Sequence, residues 1–123
     1  MALGGVLGVT GVPIPGIQTG IAASTLVLGA MIALAARPSL FVAGLIVAVF
    51  AIFHGYAHGA ERPAAVNAVS YAFGFVVATG LLHAIGILIG TIVTLRGGAT
   101  ALRVSGLAIA ILGVYYLSRA WTS

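Results

Sequence analysis

The segment Phe53-His54-Gly55-Tyr56-Ala57-His58-Gly59-Ala60-Glu61 holds two of the chain's three histidines and its only acidic residue. His54 and His58 are four residues apart. On a helix their side chains lie ~40° apart on one face, one turn above the other. Glu61, seven residues from His54, falls about 20° to its other side. Two imidazoles and a carboxylate then share one stripe, a set that suits a divalent cation. Imidazole is a good ligand for nickel, cobalt, copper and zinc. The carboxylate offsets part of the metal's charge where water is scarce. Protonated imidazole cannot ligate, so binding by this stripe weakens as pH falls.

His83 is the third histidine. It either meets the His54/His58 face or forms a second site deeper in the chain, where Thr79, one turn earlier, offers a hydroxyl. Blander roles stand beside these. A lone histidine can simply bond a neighbouring helix, and Glu61 beside Arg62 can be an interfacial ion pair. Haem does not fit, because histidines at i and i+4 on one helix cannot ligate opposite faces of the ring. The block lacks the glutamate of the HExxH zinc-protease motif, and no glycine loop precedes a lysine to cradle phosphates. No catalytic constellation is present, so an enzyme is not expected.

The elements that carry these residues must be membrane helices. Of the 123 residues, 62% are hydrophobic and 5% charged, where a soluble domain has about 25% charged. The expected fold is all-α: a polytopic transmembrane bundle of about four full spans plus an N-terminal half-span, forming a single membrane domain. Residues 1–12 are apolar but reach only ~18 Å as a helix, short of the ~30 Å hydrocarbon core. They lack a basic n-region and a cleavage site, so no signal peptide is expected. Pro13 and Pro15 with Gly11 and Gly16 mark a loop. Spans are expected at about 20–36, 40–59, 69–95 and 102–121. Arg37-Pro38, Glu61-Arg62-Pro63 and Gly97-Gly98 punctuate them, and Tyr115, Tyr116 and Trp121 form an aromatic belt.

Net charge is +4, from five arginines set singly at or near the ends of apolar runs. They read as membrane anchors, and nucleic-acid binding is not expected. Arg37, Arg96 and Arg103 lie on one side, against Arg62 and Arg119 on the other. The positive-inside rule makes the first side cytoplasmic and puts Glu61 at the outer face. A charged N-terminus would then begin partway through the bilayer, which implies an earlier start or shelter from another chain. With no cysteine, thiolate metal sites and disulfides are excluded.

Small residues line several helix faces, where they let backbones approach closely. They are Ala22, Thr25, Gly29 and Ala33 in the first span, and Gly55 and Gly59 in the second. The third carries Val76, Thr79, Gly80, His83, Gly86, Gly90 and Thr94. The fourth carries Gly106, Ala110 and Gly113.

The Phe53–Glu61 block resembles the FHGYAHGxE motif of the HupE/UreJ family of hydrogenase and urease accessory membrane proteins. The likeness continues through Gly74, Phe75, Ala78, Thr79, Leu82, His83 and Gly86. Upstream it includes Gly11-Val12-Pro13-Ile14-Pro15-Gly16, Ser24 and Leu28-Gly29, so it covers essentially the whole chain. It implies a nickel or cobalt permease of the bacterial inner membrane, supplying hydrogenase or urease maturation. It also implies His54, His58, Glu61 and His83 as the metal-handling residues, with the metal as transported ion and no prosthetic group. The family's HPxxGxDH motif is absent from these residues, and Gln18 stands where an acidic residue is expected. The alternative is a non-transporting small subunit packed in a larger membrane complex; a channel for a small neutral solute is a third reading. The helix count favours a homo-oligomer or a larger complex.

Overall fold

The computed structural model describes residues 1–63, 65–91 and 95–122. Among these residues there are five helices and no strand: α1 Ala2–Val9, α2 Ile17–Ala33, α3 Leu40–Ala60, α4 Ala68–Gly90 and α5 Gly98–Thr122. The all-α membrane architecture holds. α3, α4 and α5, with 21, 23 and 25 residues, are long and apolar enough to cross a bilayer. α2 is apolar but has 17 residues, or about 25 Å, somewhat less than a full span. α1, with eight residues, is the short N-terminal piece.

Local chemistry sets the boundaries. α2 begins three residues earlier than expected because Gly16, in the left-handed region at φ 71°, turns the chain directly into the helix. It stops at Ala33 because Ala35 adopts φ 51°. There Ala36 N–H bonds the Met31 carbonyl at 2.8 Å and Ala35 N–H the Ile32 carbonyl at 3.0 Å, the paired closure of a Schellman motif. Ser39 caps α3, its hydroxyl accepting from Val42 N–H at 3.4 Å. Asn67 caps α4, its Oδ1 accepting from Val69 N–H at 2.9 Å and Ser70 N–H at 3.2 Å. These satisfy donors that a helix start leaves unpaired. α4 is helical to Gly90. Residues 92–94 of the expected third span lie outside the described residues, as does Thr94 of its small-residue stripe.

Two helix pairs carry the packing. In the first, α1 lies on the second half of α3. Gly4 sits against the Ile52 carbonyl, Gly8 against the Tyr56 carbonyl, Gly55 against the Met1 carbonyl and Gly59 against the Gly5 carbonyl. A methyl group at any of the four would overlap that backbone. In the second, α2 lies along α5: Gly29 meets Gly106 and Ala110, and Gly113 meets Leu26. Arg103 reinforces this pair, donating from Nε to the Ala33 carbonyl at 2.9 Å and so satisfying one of the last carbonyls of α2. The Phe53 ring over Gly20 joins α3 to α2.

The centre of the molecule is therefore made of small residues. Ser24 is 2% exposed and Ala22 4%, whereas Leu40 is 90% and Val69 78% exposed. Large aliphatic side chains turned outward are what a bilayer solvent favours. Ser24 is not stranded: its hydroxyl donates to the Ile21 carbonyl at 2.6 Å. α4 differs from the other helices. Gly74, Gly80, Gly86 and Gly90 all face open space, and no residue of α4 is buried. The glycines of its small-residue stripe, expected to pack like the others, meet no helix among the described residues.

Candidate metal centre on the third helix

Ser39 sets where α3 begins, and its 21 residues carry the histidine block to its last two turns. Two of its sides are occupied there. Phe53 points to α2, while Gly55 and Gly59 are sealed against α1. At 100° per residue the His54/His58/Glu61 stripe lies roughly 100–130° from each. The stripe is thus the side of α3 that α1 and α2 leave uncovered.

His54 is half-buried, with Nδ1 3.1 Å from the Phe50 carbonyl oxygen. A carbonyl only accepts, so Nδ1 carries a proton, and in the neutral ring Nε2 is the nitrogen with the lone pair. That is the tautomer that ligation through Nε2 needs, held by a backbone bond. His58, one turn on, is exposed. Its ring leans on Phe75 of α4, centroids 5.1 Å apart and planes at 50°. Its carbonyl accepts a hydrogen bond from the Tyr71 hydroxyl at 2.9 Å.

Glu61 is the C-cap of α3. The helix macrodipole places partial negative charge at this end, where a carboxylate is disfavoured and a cation favoured. The only acidic side chain thus reinforces a negative helix end beside two imidazoles. Arg62 turns to another partner: its Nη1 donates to the Val66 carbonyl at 2.6 Å. Among the described residues no Glu61–Arg62 ion pair forms, so that reading of Glu61 is set aside.

His83 stands apart. It lies 15 residues into α4, about 22 Å along the helix, and is exposed. Its Nδ1 is 2.7 Å from the Thr79 carbonyl oxygen, so it has the same tautomer as His54. Thr79 meets it through the backbone. The middle of α4 does not pack on α3, and His83 does not join the His54/His58 face. No group of three metal-ligating residues closes around one point among the described residues. What stands on α3 is a pair of histidines one turn apart, followed by a carboxylate at the helix end.

A cleft of about 600 Å³ lies between α1, the end of α3 and the first turns of α4, with His58, Arg62, Tyr71 and Phe75 in its largely apolar wall. A second, of about 560 Å³, lies between the start of α2 and the end of α5, lined by Gln18, Thr25, Tyr116 and Arg119. Among the described residues its lining has no histidine and no acidic side chain. The sequence assigns no role to Tyr71, and marks Phe75 only as part of the family likeness. A further signal is their four-residue spacing, which puts both on one face of α4.

A family model described as HupE / UreJ protein matches residues 1–116. The chain is 38% identical over 117 residues to Protein HupE of Rhizobium leguminosarum bv. viciae, a match covering 95% of this chain and 61% of the relative. The chain thus spans about three fifths of the length of the curated relative it matches. No solved structure matches it. The chain belongs to the HupE/UreJ family, and with three helices fit to cross a bilayer it is a membrane protein.

Proposed function

We propose that this HupE/UreJ family member forms part of a permease for a divalent cation, nickel or cobalt, in the bacterial inner membrane, feeding hydrogenase or urease maturation. One observation carries the reading. His54 and His58 stand one turn apart above a carboxylate-capped helix end, on the side of α3 that α1 and α2 leave uncovered. The ion is drawn to Glu61 and the negative end of α3. It exchanges water for His58 and then for His54, whose Nε2 is held ready by the bond to the Phe50 carbonyl. His83 is a later and separate contact, nearer the far end of α4. Remaining ligands come from a facing helix, because two imidazoles and one carboxylate on one stripe approach an ion from one side only.

The test is uptake of radioactive nickel by cells expressing the membrane protein. His54→Ala and His58→Ala are each expected to lower uptake by about tenfold or more, the scale on which even changes around metal ligands act. Unchanged uptake in both variants would remove the mechanism.

A second reading is favoured by one observation, the open small-residue face of α4. On it the chain is a non-transporting subunit of a homo-oligomer or larger membrane complex. Copurification of large subunits, with no metal lost in the His54→Ala variant, would support it.

A further inference from the structure

The last four carbonyls of a helix have no donor within it. His58 contributes one of those of α3, and among apolar surroundings such a group needs a partner. Tyr71 provides it from another helix, its hydroxyl donating to the His58 carbonyl at 2.9 Å. One turn further along α4, the Phe75 ring lies against the His58 imidazole at 5.1 Å. Two side chains on one face of α4 therefore hold the backbone and the ring of a single residue. Their placement is fixed from below. The Asn67 cap starts α4 at a set point. The connection from α3 is braced by Arg62 on the Val66 carbonyl at 2.6 Å and by Val66 N–H on the Pro63 carbonyl at 3.0 Å.

His58 has particular need of such support. His54 is oriented by its own helix through the Phe50 carbonyl, whereas the described contacts that orient the His58 ring come from Phe75. An exposed imidazole without them samples several rotamers, and a ligand that must be ordered at the moment of binding binds less well. We propose that Tyr71 and Phe75 are positioning residues for His58, presetting its imidazole for a cation. The proposal concerns the orientation of His58 and deepens the metal reading only through its effect on affinity.

The experiment uses the full chain in lipid nanodiscs with ¹⁵N-labelled histidine, the three ring signals assigned by single His→Ala variants. Without metal, Tyr71→Phe and Phe75→Leu are expected to shift or broaden the His58 ring signals and leave those of His54 and His83 in place. With cobalt as the probe, Tyr71→Phe is expected to weaken binding about three- to tenfold in the parent chain and to add nothing once His58 is alanine. Unmoved His58 signals in both variants would overturn the proposal. So would a loss of cobalt affinity as large in the His58→Ala background as in the parent, since that would mark a general structural role. If the parent chain binds no cobalt, the metal reading falls and the ring signals alone decide the positioning.

Discussion

The α2–α5 pair and the α3–α4 pair are each joined by a side chain that caps the end of a neighbouring helix. Arg103 reaches the Ala33 carbonyl of α2, and Tyr71 reaches the His58 carbonyl of α3. The caps are alike, but their surroundings are not. Behind Arg103, Gly29, Gly106 and Gly113 let two backbones meet along their length. Behind Tyr71 there is one ring contact and a cleft, and the glycines of α4 face nothing. The first cap is an addition to an interface; the second is most of the interface. The candidate metal stripe lies at the second junction, where small displacements are least resisted.

Glycine-to-leucine exchange probes the contrast most strongly. Gly55→Leu is expected to destabilise the protein by about 1–3 kcal/mol or more, because the new side chain must displace backbone. Gly86→Leu is expected to stay within about 0.5 kcal/mol, as an exposed substitution should. Unfolding in mixed micelles measures both. A large loss at Gly86 would show that another chain covers α4, and would break the contrast.

Arg103→Ala comes next, with an expected loss of about 1 kcal/mol, the usual worth of one hydrogen bond. Crosslinking between cysteines placed in α2 and α5 should persist in this variant, since glycine packing holds the pair. If the pair separates, the cap and not the packing is what joins it.

The smallest effect is a gain. Ala35 occupies the left-handed region at φ 51°, which disfavours any residue with a Cβ. Ala35→Gly is expected to stabilise by about 0.5–1 kcal/mol in the same micelle assay. The change should leave α4 unaffected, keeping the two junctions separable.

Much of this arrangement is legible from residue spacing. The i, i+4 histidines, the Pro-Gly loop and the apolar runs foretell α3, its neighbours and the placing of His54 and His58 one turn apart on α3. Gly29, Gly55, Gly59, Gly106 and Gly113 foretell close packing. What spacing cannot supply is the partner. Gly86 and Gly90 follow the same four-residue spacing as Gly55 and Gly59, yet one set is sealed and the other open. A helix face encodes closeness without encoding what comes close. The left-handed end of α2 was hidden for a related reason, because Ala35 lacks the glycine signature of such a stop. Tyr71 was hidden because a lone tyrosine near a membrane helix end usually marks the lipid interface. His83 illustrates the limit on chemistry: its spacing allows a site with His54 and His58, but the course of α4 keeps it away.

The near-complete burial of Ser24 beside an outward-facing Leu40 and Val69 bears on which changes this chain can absorb. In a water-soluble protein the large aliphatic positions are intolerant and the small surface positions are free. Here the map is turned inside out. Leucine, isoleucine and valine can exchange with one another across most of the outer wall, since lipid chains adapt to either shape. An added methyl at Gly29, Gly55 or Gly59 meets the backbone of a neighbouring helix. The room for change therefore lies on the outer wall and the open face of α4, and the small residues sealed between helices are the ones that hold the form.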